Sequence, residues 1–291
     1  MKSFLELVKF QSVDSMSKQY LPQFYTMLEQ QVGIALDDTK QYLLESRLMP
    51  IAQQKGLPDV YALIKLLTQS PLGSLHWQVF EALTTNETSF FRDKHVFEAL
   101  RTSILPELIE HRKKDRTLRI WSSACSAGQE VYSLAMMLRE DFPMLHDWTI
   151  YLQATDISEL VLAKAKSGIY SSMEAHRGLN DHFLHKYFES IEKGAFQIKP
   201  SIRQMVNFSH HNLVGDWPFY PKFDLILLRN VLIYFKQDAK DKVLSKMQQH
   251  LNGGDSVLIL GAAESIYLND LYKLVALDKI SYYKSNTLIK V

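Results

Sequence analysis

The sequence changes texture across one charged run, His111-Arg112-Lys113-Lys114-Asp115-Arg116. Beyond it, short apolar segments alternate with helical ones. Residues 118–124, 148–154, 203–209, 223–228 and 255–261 read as strands, with helices at 130–141, 158–166 and 238–251. Parallel strands cannot be joined by a tight turn and need a crossover, usually a helix. The alternation therefore commits this part to a doubly wound parallel α/β sheet. Val275 and Ser281-Tyr282-Tyr283 suggest a closing strand pair. Before the run, residues 20–112 show helical spacing and no convincing strand. Asp37 or Asp38 is placed to cap a helix reaching about Lys55, with Pro50 expected to kink it. Short helices follow near 59–69 and 74–84, and a longer one from Asp93 to His111.

One stretch breaks the alternation. Residues 168–202 are far more than an αβ connection needs. Phe183, Tyr187, Phe188, Phe196 and Ile198 let them pack locally, as a small subdomain on the sheet's edge. The expected organisation is an arm or extra helix over 1–19, a helical domain over 20–92, and an α/β domain over 93–291 carrying the insert 168–202. Thirty-three basic residues against 32 acidic leave a net charge of +1, which argues against a surface built for nucleic acid. A single cysteine, Cys125, excludes an internal disulfide and suits a reducing compartment. No apolar run approaches the ~18 residues of a membrane span, and the N-terminus lacks a convincing secretory signal. A cytoplasmic protein without membrane insertion is expected.

In open α/β sheets, ligands bind beyond the carboxyl ends of the strands. After the first strand comes Ser123-Ala124-Cys125-Ser126-Ala127-Gly128-Gln129-Glu130, a small-residue turn that matches neither GxGxxG nor GxxxxGK[ST]. It is a structural turn or a ligand turn. Glu130 caps the next helix or meets a cation or amine. After the second strand, Asp156 holds ribose hydroxyls or caps a helix. After the third come His210-His211-Asn212-Leu213. Adjacent histidines on an extended chain point to opposite faces and no HExxH or cysteine partner is present, so no metal is expected and Asn212 is the better ligand candidate. After the fourth, Arg229 and Asn230 face the cleft or tie down the loop, with Tyr234 four residues on. The prolines of an Asn-Pro-Pro-Tyr motif, as in amino-methylating DNA enzymes, are missing. Upstream, Thr84-Thr85-Asn86-Glu87-Thr88-Ser89-Phe90-Phe91-Arg92-Asp93 runs polar groups into two rings. That pattern suits a buried loop whose polar groups meet something outside the chain.

These loops carry a resemblance. NETSFFRD at 86–93, SAGQEVYS at 126–133, ATDIS at 154–158, SGIY at 167–170, NL at 212–213 and RNVLIYF at 229–235 resemble, in order, the motifs of the CheR family of chemotaxis receptor methyltransferases. The resemblance covers roughly residues 20–290. It implies a Rossmann-like S-adenosyl-L-methionine (SAM)-dependent methyltransferase sheet, a small all-α N-terminal domain and an inserted small β-subdomain. It implies methyl transfer from SAM to glutamate side chains of chemoreceptors, leaving S-adenosylhomocysteine. Asn86, Thr88, Arg92, Glu130, Asp156, Asn212, Leu213, Arg229 and Asn230 would bind the cofactor. Arg92 and Tyr234 would lie near the transferred methyl group.

A glutamate carboxylate is ionised at neutral pH, so an in-line displacement needs no dedicated general base. Lys40, Arg47 and Lys55 are the candidates for docking a receptor's cytoplasmic helical domain. Two departures stand out. The family's Gly-Glu-Glu-Pro-Tyr-Ser reads Gly128-Gln129-Glu130-Val131-Tyr132-Ser133, keeping the second acid. The loop Glu189-Ser190-Ile191-Glu192-Lys193-Gly194 is short and poor in glycine, so docking of a receptor tail peptide is not expected. The alternatives are a SAM-dependent methyltransferase for another substrate and a non-catalytic SAM-binding regulator.

Overall fold

The computed structural model describes residues 18–266 and 270–286. The arm or extra helix expected at the N-terminus falls almost wholly on residues 1–17, outside that range. The chain forms two compact units. One takes the chain as far as Thr85 together with Tyr234–Ala239; the other takes Asn86–Ile233 and Lys240–Val291.

The first unit is helical. α1 (Leu21–Val32) carries proline in its first turn and stops at Gly33, whose φ of 77° turns the chain out of the helix. A 3-10 turn capped by Asp37 leads into α2 (Gln41–Gln54), which runs through Pro50. α3 (Val60–Gln69) begins on Asp59, whose side chain accepts the Ala62 N–H at 2.7 Å. α4 (Ser74–Leu83) completes the set. Phe24, Leu28, Leu44, Leu48, Leu63, Ile64 and Phe80 are among its bulkiest buried side chains. Of the two readings open for Arg47, a snorkelling side chain with its stem on the core or a partner-facing charge, the structure shows its guanidinium bonded to its own chain. Its Nη1 donates to the carbonyls of Leu83 (2.8 Å) and Thr84 (2.9 Å), and its Nη2 to Thr85 Oγ1 (3.2 Å). The last carbonyls of a helix lack partners within it, and this arginine satisfies that of Leu83 at the end of α4 and that of Thr84 just beyond it.

The second unit opens with the segment 86–93 and a long helical stretch. This consists of α5 (Lys94–Ala99), a π-helical turn (Leu100–Ile104) and α6 (Leu105–Arg112). The alternation follows as β1 (Thr117–Ser123), α7 (Gln129–Asp141), β2 (Thr149–Asp156) and α8 (Glu159–Ser167). The insert supplies β3 (Ile169–Ser171), α9 (Ser172–His176), α10 (Asp181–Tyr187), β4 (Phe188–Ile191), β5 (Ala195–Ile198) and α11 (Pro200–Arg203). Then come β6 (Val206–His210), β7 (Leu225–Leu228), α12 (Gln237–Gln249), β8 (Val257–Leu260), β9 (Tyr272–Leu277) and β10 (Ile280–Ser285). No helix among the described residues is long and apolar enough to cross a membrane.

The main sheet has the order β6-β2-β1-β7-β8-β10-β9. β1 is parallel to β2 on one side and to β7 on the other, and β10 pairs antiparallel with both β8 and β9. The chain thus leaves β1 in one direction and later returns to its other side, which makes the β1–β7 mouth the switch point where ligands bind. All four residues of β7 are buried, as in a central strand covered on both faces. β1 divides its side chains. Leu118 and Ile120 join the apolar core with Val131 and Leu134 of α7. Trp121 faces a ring cluster of His211, Trp217, Tyr220, Phe223 and His250. His210 is exposed while His211 is buried, and burial pushes the latter's pKa down to about 4.

The insert is a three-stranded antiparallel sheet, β3-β5-β4, with three short helices. It is fastened to the helix layer. Glu140 of α7 accepts from His182 Nε2 (2.8 Å), Lys186 Nζ (2.5 Å) and Tyr187 Oη (2.6 Å) of α10, and α11 packs on α7.

Candidate active site

The turn from β1 into α7 holds three left-handed residues within five: Ala124 (φ 54°), Ser126 (φ 51°) and Gly128 (φ 88°). Only glycine adopts this conformation readily, so the other two need support. The Cys125 N–H donates to the Thr155 carbonyl and the Ser126 N–H to Asp156 Oδ2, both at 2.8 Å. Asp156 Oδ1 accepts the Ser158 N–H at 3.0 Å. Asp156 therefore ties the turn after β1 to the end of β2. The cap of α8 is Ser158, whose hydroxyl accepts the Val161 N–H. Burial raises the Asp156 pKa, and the N–H groups of Ser158, Ser126 and Ile157 oppose that rise. Three N–H donors leave the carboxylate one lone-pair site for a further donor.

Gly128 has a packing explanation. A Cβ there would stand 3.1 Å from Ala165 Cβ, 3.2 Å from the Tyr132 ring and 3.3 Å from the Phe208 ring. Cys125 is buried, and burial, with Asp156 and Glu130 nearby, pushes its thiol pKa well up, so it is packed rather than nucleophilic.

Arg229 lies just past β7 with 2% of its side chain exposed. Its Nη1 donates to Glu130 Oε2 (2.7 Å), and its Nη2 to Asp93 Oδ2 (2.5 Å) and the Arg92 carbonyl (3.2 Å). Glu130 Oε1 accepts from Ser122 Oγ at 2.7 Å. Of the readings open for Glu130, the structure shows an acid meeting a cation of its own chain. Burying a guanidinium is tolerable only when it is paired, and Glu130 and Asp93 supply the pairing.

The neighbouring loop is held by a residue the sequence did not mark. Glu264 Oε2 accepts the N–H groups of Asn230 (2.8 Å) and Gly261 (2.7 Å), and Oε1 that of Ile233 (3.2 Å). Asn230 is left-handed, at φ 60°. A Cβ on Gly261 would come within 2.8 Å of Asn230 N, so the two backbones require glycine there. The one sequence signal is an acid three residues beyond a glycine. It closes a turn in which the Glu264 N–H donates to the Gly261 carbonyl at 2.9 Å.

The segment 86–93 joins the mouth through Ser126, whose Oγ donates to the Asn86 carbonyl at 2.9 Å. Arg92 Nη1 donates to the Glu87 carbonyl at 2.9 Å, which curls the segment on itself. Phe90 meets Tyr170 and Phe188 edge-on, Phe91 meets Phe97 and Phe183, and the Phe91 N–H donates to Ser133 Oγ at 2.9 Å. Asn86, Arg92, Glu130, Asp156, Arg229 and Asn230 are thus linked around one mouth. Thr88 is half-buried in the same segment. Past β6, Asn212 Oδ1 accepts the Val214 N–H at 3.1 Å, and Leu213 is buried beside it. Tyr234 falls in the helical unit, where its carbonyl accepts the Ala35 N–H at 2.8 Å. Asp93, Ser122 and Glu264 complete the mouth without having been marked in the sequence.

Comparison with known families settles the class of such a mouth. The CheR methyltransferase all-alpha domain matches residues 20–84, and the CheR methyltransferase SAM binding domain matches residues 86–280. The chain belongs to the CheR family. The resemblance carried by the six motifs is borne out, as are the Rossmann-like sheet and the all-α N-terminal domain. Chemotaxis protein methyltransferase Cher2 of Pseudomonas putida is 39% identical over 257 residues, which cover 87% of this chain and 93% of that protein. Chemotaxis protein methyltransferase 1 of Vibrio cholerae is 38% identical over 274 residues, covering 93% and 98%. The chemotaxis protein methyltransferase of Borreliella burgdorferi is 34% identical over 264 residues, covering 89% and 92%.

The cofactor of this CheR-family domain is SAM, and the residues at the mouth fit it. Ser123 Oγ and Arg229 Nε, at the ends of β1 and β7, are buried without a hydrogen-bond partner among the described residues. A buried polar atom of this kind requires a partner. Together with the remaining lone pair of Asp156, they provide donors and acceptors suited to a polar cofactor bearing hydroxyls.

Proposed function

We propose that this CheR-family methyltransferase transfers methyl from SAM to glutamate side chains of methyl-accepting chemotaxis receptors, forming methyl esters. The observation that carries the reading is the match of both CheR domains, in order, along one chain. The relatives' name, chemotaxis protein methyltransferase, supports it.

When bound, SAM supplies a methyl group on a positively charged sulfur. A glutamate with a reference pKa of about 4.3 is already ionised at neutral pH, so the protein's task is alignment. Alignment of reacting groups supplies up to about 7–11 kcal/mol in favourable cases. In this reading Asp156 accepts from a cofactor hydroxyl with its remaining lone pair. Glu130 and Arg229 fix each other and so keep the β1–β7 mouth open in one shape. Arg92, one of whose N–H groups donates to the Glu87 carbonyl, grips a carboxylate of the cofactor with the others. Asn86, Thr88, Asn212, Leu213 and Asn230 complete the cofactor pocket. Tyr234 donates a hydrogen bond to the incoming carboxylate.

Lys40 and Lys55 dock the receptor's helical domain, while Arg47 serves the end of α4. β4 and β5 are joined only by Glu192–Gly194, which supports action without a receptor tail peptide.

The test is methyl transfer from labelled SAM to receptor-containing membranes, read as alkali-labile label. Labelled ester on a receptor band, lost in Arg92→Ala, is the expected result. Tyr234→Phe should keep cofactor affinity and turn over more slowly. Cofactor binding without label on any of a panel of receptors would replace this reading with another substrate or a SAM-binding regulator.

A further inference from the structure

The insert does more than pack beside the helix layer: it grips the segment 86–93. Gly178, between α9 and α10, has φ 106°, and a Cβ built on it would lie 1.9 Å from the Phe90 carbonyl oxygen and 2.8 Å from the Phe90 carbonyl carbon. Real Cβ atoms do not approach so closely, so only glycine lets these two backbones touch. The preceding residue, Arg177, places Nη2 2.5 Å from Glu87 Oε1. The Phe90 ring lies against Tyr170 and Phe188 of the insert, with centroids 5.0 and 5.5 Å away, and the Phe91 ring lies 5.0 Å from that of Phe183.

The gripped segment needs this support. Phe91 (φ 47°) and Asp93 (φ 60°) are both left-handed, a conformation that side-chain-bearing residues leave unless their surroundings hold them. The same segment carries Asn86, Thr88 and Arg92, and through Asp93 and the Arg92 carbonyl it reaches Arg229. Its far side is fixed to the insert, and the insert is fixed to α7 through Glu140.

We propose that Arg177 and Gly178 of the insert are positioning residues for methyl transfer, acting through the segment 86–93. The proposal rests on the reading of that segment as part of the SAM pocket. It gives the insert a task in the reaction separate from any receptor contact. A misplacement of about 1 Å in such a segment costs about a hundredfold in rate when alignment is the source of catalysis.

The experiment uses the full chain, with SAM affinity by calorimetry and steady-state rates on receptor-containing membranes. Gly178→Ala is expected to weaken SAM binding about tenfold or more, because the segment must move to admit the Cβ. Arg177→Met, which removes an exposed ion pair, is expected to raise the KM for SAM about two- to fivefold. It should leave the KM for receptor and the unfolding midpoint unchanged, and Arg177→Lys should recover part of the loss. A KM rise confined to SAM separates positioning from a general loss of fold or of docking.

If Gly178→Ala fails to fold, the Arg177 pair of variants decides alone. Folded variants that bind SAM as tightly as wild type, with unchanged KM, would overturn the proposal while leaving the SAM reading intact. A wild-type protein that binds no SAM would overturn both.

Discussion

The mouth of the sheet and the insert are both held by charged side chains, but in different surroundings. At the mouth, Arg229 is 2% exposed and Glu130 14%. At the insert, Arg177 and Glu87 are 59% and 63% exposed, and the Glu140 anchor lies between these extremes at 23%. Water screens an exposed pair and solvates either partner when the other is removed. A buried guanidinium has no such alternative, so its partners are obligatory. The mouth therefore tolerates the loss of neither partner cheaply. The insert is attached through backbone contact and aromatic rings to the segment 86–93 and through the Glu140 bonds to α7, and its ion pairs are more exposed than those of the mouth.

The largest test of this contrast is Arg229→Met. It leaves Glu130 and Asp93 facing each other across an apolar side chain and is expected to cost about 3–5 kcal/mol in urea unfolding. Adding Glu130→Met should restore part of that stability, because an apolar pair needs no partner. A single-variant cost within the range of an exposed pair would erase the distinction between the two regions.

Glu264→Ala comes next. It frees three backbone N–H groups at a partly exposed position, for an expected loss of about 1–3 kcal/mol. Glu264→Gln should cost less, since one oxygen can still serve Asn230 and Gly261 together. Amide exchange at Asn230 would report the same order.

The smallest effect is expected at the insert and depends on pH. Hydrogen bonds from Lys186, Tyr187 and His182 hold the Glu140 carboxyl at about 2, below its ordinary 4.5. The folded state therefore binds this proton more weakly than the unfolded state does. The contribution of Glu140 is complete above about pH 4.5 and fades as the pH falls toward about 2. Amide protection of α10 should decline over that window in wild type. In Glu140→Gln it should already be lower at neutral pH and show no acid step.

Local chemistry was legible in the sequence. The cap at Asp37 or Asp38 and the strand–helix alternation depend on residues a few positions apart, whereas the cap at Asp59 was not marked. The division between His210 and His211 follows from extended geometry alone. Asp156 and Glu130 were visible because they sit at strand and helix ends, where charge draws notice. What they hold was not visible: Asp156 supports a strained turn 30 residues away, and Glu130 pairs with an arginine 99 positions on. Glu264 serves only backbone groups, so no complementary residue type marks it. Arg47 reads as a snorkelling side chain or a partner-facing charge, and its hydrogen-bond partners were not visible because the helix end it closes lies 36 residues further along. Gly178 sat in an insert whose packing partner, Phe90, belongs to a segment 88 positions earlier. A one-dimensional pattern carries no sign of such a crossing.

The placement of Tyr234–Ala239 with the helical unit has an evolutionary consequence. The Ala35 N–H meets the Tyr234 carbonyl, and Lys236 Nζ stands 2.6 Å from Glu29 Oε2, so six residues from late in the chain belong to the early module. A recombination event with one breakpoint near codon 85 would deliver an incoming helical module to a resident segment shaped for another. Lineages that exchange this module must inherit two separate stretches of gene together, or repair the mismatch afterwards by substitution at one of them.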